Sequence, residues 1–199
     1  MKKLFSEVLK LQDGELYNLP YHQERVNNTT HRFYGTDIDL SGLERIVPED
    51  AKKGLYKFRL LYGERIESFE CIPYSVKAKK RVGIVFDDKI EYGYKYADRG
   101  ALNRLLKQPG YEDVIIIRNG CVTDSLFCNL VFESAEGLFT PQTYLLPGTK
   151  RKYLLDREII RERFIRFEDI CRYDRLHFIS AMIELEDGVA IPVASLLLD

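Results

Sequence analysis

The sequence carries no excess of either charge. Its 199 residues hold 30 Lys and Arg against 31 Asp and Glu, a formal net charge of −1. Such a chain has no field with which to gather nucleic acid or an anionic membrane surface, and neither is expected as a partner. No apolar run approaches the ~20 residues of a membrane span. The opening stretch, MKKLFSEVLKLQDGEL, breaks its apolar residues with charge and has no small-residue cleavage site, unlike a secretory leader. Metal-site spacings are missing too. Cys71, Cys121, Cys128 and Cys171 include no CxxC pair, the histidines His22, His31 and His177 are scattered, and no HExxH occurs. A metal centre built on Cys and His is therefore not expected. The thiols read as free and the compartment as reducing, so a cytoplasmic protein is expected. Repeats and low-complexity stretches are also absent.

What is present is a soluble globular composition, 45% hydrophobic and 31% charged. The length suits one large domain or two small lobes sharing a cleft. Residues 3–10 are strand-like and are followed by the turn pair Asp13-Gly14. A helix is expected over Tyr21–His31. Alternation over 56–62 and 66–72, with Gly63-Glu64 between, predicts a hairpin, and 82–86 a further strand. This half reads as an α+β lobe. The second half opens on the apolar run 114–118 and the hairpin pair Asn119-Gly120, after which 129–133 is expected to return as partner strand. Strands at 138–140, 176–180 and 189–193 complete the sheet, and Pro147-Gly148 introduces a helix expected over Thr149–Arg163, with Tyr153, Leu154, Ile159 and Ile160 as its apolar stripe. The lobes divide as 1–90 and 91–199, with the break near 87–92.

Four segments could carry chemistry. In Glu91–Arg99, an extended backbone points Tyr92, Tyr94 and Tyr96 one way and Gly93, Lys95 and Ala97 the other. Lys95 is either a solvated strand lysine or an amine with room beside it for a planar group. Asp124 lies in a stretch poor in charge. It is either the start of an Asx turn or a buried carboxylate needing a cationic or donating partner. Leu146-Pro147-Gly148-Thr149-Lys150 is either an ordinary helix start or an anion site made of backbone N–H groups and a hydroxyl. Arg25 is either an exposed helical arginine or a phosphate ligand.

Taken in order, the segments resemble a known family. The pieces are Leu4-Phe5-Ser6, His22-Gln23-Glu24-Arg25-Val26, Lys95, Thr123-Asp124 through Asn129-Leu130-Val131-Phe132, Thr140-Pro141 and Leu146-Pro147-Gly148-Thr149-Lys150-Arg151. They are similar in order and spacing to the fold-type IV pyridoxal-phosphate enzymes, the class IV aminotransferase family. That family includes branched-chain and D-amino-acid aminotransferases and 4-amino-4-deoxychorismate lyases. The resemblance implies a two-lobed α+β/α/β D-amino-acid-aminotransferase-like fold with a shortened N-terminal lobe. It implies pyridoxal 5′-phosphate as cofactor, a small-molecule amino substrate and a homodimer. It makes Lys95 the Schiff-base lysine in the C-terminal lobe, and Arg25 a ligand of the cofactor phosphate. Gly148, Thr149 and Lys150 form one phosphate loop, and Ser180 and Ala181 a second. Asp124 becomes the partner of the pyridine nitrogen, and Asn129 is read as structural.

The match departs from the family in three respects. Asp124 stands for a glutamate and is one methylene shorter. Lys150 stands where the family has threonine. The family's usual N-terminal strand and turn do not precede Leu4-Phe5, and Ser6 replaces the glutamate of a Phe-Glu pair. The cofactor half is thus better supported than the substrate half. Three functions are carried forward: an aminodeoxychorismate lyase of folate synthesis, a branched-chain or D-amino-acid aminotransferase, and a catalytically weak cofactor-binding protein. Arg99, Arg59 and Lys57 are the cationic candidates for a substrate carboxylate.

Overall fold

The computed structural model describes residues 3–106 and 109–198. The chain divides into two compact units. The first is the stretch ending at Ser75 together with Tyr94–Asp98, and the second is Val76–Gly93 with Arg99 onward.

In the first unit, β1 (Phe5–Gln12) turns through Asp13-Gly14, both at positive φ, into the short β2 (Glu15–Leu16). Helix α1 (Leu19–Tyr34) follows, with proline in its first turn. It ends where Gly35 takes the left-handed conformation, φ 68°, three residues beyond the expected end. The hairpin of β3 (Leu55–Tyr62) and β4 (Ile66–Pro73) stands where the alternation put it. The sheet order is β2-β1-β3-β4, with β1 antiparallel to β3 from Phe5↔Tyr62 to Gln12↔Leu55. Strand alternation sends Phe5, Glu7, Leu9 and Leu11 to one face, opposite Tyr62, Leu60, Phe58 and Tyr56. This face, with Val26 of α1, is the core of the unit.

The second unit begins with β5 (Val82–Phe86) and α2 (Gly100–Asn103), then β6 (Asp113–Arg118), β7 (Cys121–Ser125), β8 (Asn129–Ser134) and β9 (Gly137–Pro141). Helix α3 (Thr149–Asp156), β10 (Arg161–Arg163), β11 (Arg175–Ile179), β12 (Ala190–Pro192) and β13 (Leu197–Leu198) complete it. They form two sheets, β13-β5-β6-β7 and β10-β9-β8-β11-β12.

The structure corrects four local expectations. The Asn119-Gly120 turn does join a hairpin, both residues at positive φ, but the returning strand is β7 and not 129–133. The latter, β8, pairs with β9 and β11 in the other sheet. The helix from Thr149 stops at Asp156. Glu158 takes φ 56°, Ile159 N–H bonds to Leu154 O (3.0 Å) and Glu158 N–H to Leu155 O (2.9 Å), the double closure of a Schellman motif. Ile160 still joins Leu154, Val131 and Ile179 in a buried cluster, but from beyond that turn. The break between units falls after Ser75, because β5 pairs in parallel with β6 and so belongs to the second unit. Finally, Tyr94–Asp98, with Lys95, belongs to the first unit and not to the C-terminal one. The β5-to-β6 connection supplies this piece.

Candidate functional site

Lys95 sits on a segment that extends the first unit's sheet. Ser6 N–H donates to Lys95 O and Ala97 N–H to Leu4 O, both 2.9 Å, and Tyr96 bridges Phe5. The rings of Tyr94 and Tyr96 enter one aromatic cluster with Phe5 and Phe33, with centroids 4.8–6.4 Å apart. Tyr92 does not share this face as the alternation suggested. The backbone bends at Gly93-Tyr94, and Tyr92 is buried in the second unit, where its hydroxyl accepts from Arg99 Nη1 at 3.3 Å. Lys95 is half-buried, not a fully solvated strand lysine.

Next to this segment lies a group of charges that the sequence reading did not assemble. Glu7 is fully buried in the middle of β1. Its Oε1 meets His22 Nδ1 at 2.5 Å and also accepts from Arg25 Nη2, while Oε2 accepts from Arg25 Nε at 3.2 Å. His22 and Arg25 are three apart on α1 and so share one side of the helix. Burial pushes the Glu7 carboxyl up, but the charge of Arg25 and the His22 hydrogen bond outweigh it, and its pKa falls to about 2. Burial holds His22 below the ordinary imidazole range; the charges of Arg25 and Lys95 add to this, against the pull of Glu7. The Tyr62 hydroxyl is buried in the same region, and burial and the Glu7 charge both raise its pKa. Ser6 remains a departure from the Phe-Glu pair, and Glu7 is a separate carboxylate on the opposite face of β1. Alternation turns Glu7 toward α1 and Ser6 away from it. A glutamate inside an otherwise apolar strand face, with arginine and histidine one helical turn apart downstream, is the signal that could have found it.

The other face of this sheet carries two of the substrate-carboxylate candidates. Arg59 is ion-paired with Glu70 at 3.0 Å and half-exposed, and Lys57 stands opposite Lys10 across the strand pair. Arg99 lies in the second unit, where Nη2 donates to Leu126 O at 2.5 Å and the guanidinium rests 5.0 Å from the Phe127 ring centroid.

In the second unit, Asp124 is a buried carboxylate at the end of β7. Its Oδ2 accepts Leu145 N–H (3.0 Å) and Leu146 N–H (2.8 Å), and its Oδ1 accepts Asn129 Nδ2 (2.8 Å). These bonds use three of a carboxylate's roughly four acceptor positions. Burial raises its pKa to about 6, even against these hydrogen bonds. Asn129 also donates to Leu146 O at 3.0 Å, so Asp124 and Asn129 together hold the turn that leads into α3. Gly148 is the N-cap of that helix and, having no side chain, makes no cap hydrogen bond of its own. Lys150 is buried, with its ammonium ion-paired to Glu184 and 4.7 Å from the Tyr153 ring centroid. Ser180 bridges Ile183, its hydroxyl accepts Met182 N–H at 3.2 Å, and Ala181 is half-buried. The described residues thus bring Arg25 and Lys95 together in one unit. Asp124 and Gly148 meet through Asn129 in the other, while Lys150 is turned to Glu184.

The donor set suits an anionic aldehyde cofactor. The first unit carries the half-buried Lys95 and an Arg25 guanidinium clamped by Glu7, an amine and a cation that suit such a group; the second unit, taken by itself, carries the buried Asp124 carboxylate and the glycine-capped start of α3. Among the described residues there is no group of three or more His, Cys, Asp or Glu that could hold a metal, and no helix long and apolar enough to cross a membrane.

Comparison with known proteins agrees. Residues 93–191 match the amino-transferase class IV family. A protein of Haemophilus influenzae (strain Rd) with no assigned role is 33% identical over 180 residues, 88% of this chain and 96% of its own. A crystal structure from Haemophilus somnus 129PT, named provisionally as a 4-amino-4-deoxychorismate lyase, is 32% identical. It superposes with a TM-score of 0.81 over 92% of this chain and 97% of its own. A hypothetical aminotransferase of Mycobacterium tuberculosis in its PLP-bound form shares the fold, with a TM-score of 0.77 at 18% identity over 99% of this chain and 81% of its own. The chain belongs to the class IV aminotransferase family, and its fold is that of the fold-type IV pyridoxal-phosphate enzymes.

Proposed function

We propose that this chain is a pyridoxal-phosphate enzyme that works as a 4-amino-4-deoxychorismate lyase, releasing pyruvate from aminodeoxychorismate to leave 4-aminobenzoate. The observation that carries the cofactor reading is the placement of Lys95: a half-buried amine on a segment bonded to β1, within the electrostatic reach of the Glu7, His22 and Arg25 group. The name given to the Haemophilus somnus protein, similar over nearly the whole of both chains, supports the lyase over the aminotransferase.

When bound, the cofactor supplies an electron sink for a carbanion at the substrate carbon. Lys95 Nζ is the amine that holds the cofactor aldehyde. As a free amine, Lys95 Nζ would move the proton at the substrate carbon. The residues that would hold the phosphate are Arg25 and, through backbone N–H groups and hydroxyls, Gly148, Thr149, Lys150, Ser180 and Ala181, the Lys150 ammonium being engaged by Glu184. Asp124 Oδ1 has one acceptor position with which to hold a proton on the ring nitrogen, by the attraction of opposite charges. We further propose a homodimer, and the cytoplasm as the compartment, the latter from four cysteines present as free thiols.

The test is pyruvate release from aminodeoxychorismate by cofactor-loaded protein with no 2-oxo acid added. Release that disappears in Lys95→Ala, together with loss of borohydride-fixable cofactor, supports the reading. Turnover that requires a 2-oxo acid acceptor replaces the lyase with an aminotransferase. A yellow protein inert to amino substrates leaves cofactor binding alone. Fixation of cofactor at a different lysine removes Lys95 from the reaction.

A further inference from the structure

We propose that Glu7 is the positioning residue for Arg25: by gripping the Nε–Nη2 edge of the guanidinium, it fixes the direction in which Arg25 presents its charge to the cofactor phosphate. The inference rests on the reading of Arg25 given above and deepens it.

A carboxylate at the centre of a strand, fully buried and opposite Leu60, is costly unless it is closely matched by charge and hydrogen bonds. Its partners supply that match. Arg25 Nε and Nη2 reach both carboxylate oxygens, and His22 Nδ1 shares Oε1. A guanidinium is a rigid planar fork, so two contacts on one edge fix the orientation of the rest of the group. The Arg25 side chain is 11% exposed against 0% for Glu7, so the carboxylate holds it from the inner side. His22 prevents Glu7 from rotating, because a turn of the carboxylate would break the 2.5 Å contact as well as the Arg25 pair. The arrangement sacrifices attraction for direction: Glu7 cancels much of the positive charge that an unpaired arginine would offer an anion. In this proposal a fixed angle of approach is gained at the expense of the depth of the potential. Glu7 acts through Arg25 and not by contact with substrate or cofactor.

Comparing pyridoxal 5′-phosphate with pyridoxal isolates the phosphate contribution, because general damage to the fold weakens both alike. Spectroscopic titration of cofactor-free protein gives the two affinities and their ratio. Arg25→Ala is expected to lower the ratio on the order of tenfold to a hundredfold. Glu7→Gln should lower it on the order of tenfold and leave pyridoxal affinity near that of the parent chain. The double variant should match Arg25→Ala alone, because Glu7 has nothing left to act through. A ratio unchanged in Glu7→Gln while Arg25→Ala loses it overturns this inference only, as does an additive double variant. A ratio unchanged in Arg25→Ala overturns the phosphate reading itself. Arg25→Lys gives an independent arm should Glu7→Gln not fold. Its ammonium is a rotating point charge with no planar edge to be held in one orientation, so the ratio should fall close to that of Arg25→Ala. Retention of the parent ratio would show that orientation is not at issue.

Discussion

Asn129 lies directly beneath Gly148. A β-carbon built on Gly148 would sit 1.7 Å from Asn129 Oδ1 and 2.9 Å from Asn129 Cγ. The glycine is there for space, since its φ of −72° suits any residue. Gly148→Ala should force Asn129 off Asp124 and Leu146 and destabilise the chain by roughly 2–4 kcal/mol. In an Asn129→Ala background the same substitution should cost far less, which urea unfolding of the two single variants and the double would reveal. Additive losses would mean that the two residues are not coupled.

Glu7 ties the stability of the chain to acid. Its carboxyl falls from 4.5 to about 2 on folding. The carboxylate therefore stabilises the fold above about pH 4.5, and that contribution, on the order of 3 kcal/mol, is lost as the pH falls through about 2. Glu7→Gln should remove this segment of the stability profile. Unfolding free energies taken from pH 5 down to pH 2 should fall more steeply for the parent chain than for the variant. Parallel curves would contradict the assignment.

Asp124 has the opposite sign in a different window. Its carboxyl rises from 3.8 to about 6 in the folded chain, so its contribution is fully present below about pH 3.8 and is lost as the pH rises through about 6, a change of roughly 3 kcal/mol. Cofactor-free Asp124→Asn should show a flatter profile between pH 4 and pH 7. In the loaded enzyme the same substitution should reduce turnover more than cofactor affinity, if Asp124 serves the ring nitrogen. Equal losses of both would argue for a purely structural carboxylate.

The aromatic cluster anchors the lysine segment. Phe5 is fully buried and meets Phe33, Tyr62, Tyr94 and Tyr96 at centroid distances of 4.9–6.4 Å. Phe5→Ala should cost about 3–5 kcal/mol. It should also speed hydrogen exchange at the Ala97 amide, whose bond to Leu4 O holds the segment to β1. Exchange at Ala97 as slow as in the parent chain would mean that the backbone bridge holds by itself.

Glu158 closes α3 in the left-handed conformation at φ 56°, where an L side chain is strained. Glu158→Gly should raise stability by up to about 1 kcal/mol, read from the denaturation midpoint. A loss would show that the glutamate side chain contributes more than the strain it bears.

Much of the architecture is written in local sequence. Alternation in 56–62 and 66–72, the Asp13-Gly14 and Asn119-Gly120 turns, and the uninterrupted apolar run of β6 fix strands and turns, because they depend on which side chains can face a core and which residues tolerate positive φ. The end of α3 was not legible, since Glu158 occupies a position where glycine is the usual mark. The partner of β6 was not legible either, since a hairpin turn names its two flanking strands but 129–133 had an equally good strand pattern. The order and spacing of six motif pieces, from Leu4-Phe5-Ser6 to Leu146–Arg151, gave a resemblance to the family from sequence alone. Tertiary structure decided the rest. It assigned the lysine segment to the first unit through hydrogen bonds to β1, and it brought Glu7 to Arg25 across eighteen residues. Strand register and the seating of a helix on a sheet join residues distant in the chain, and no local pattern encodes either.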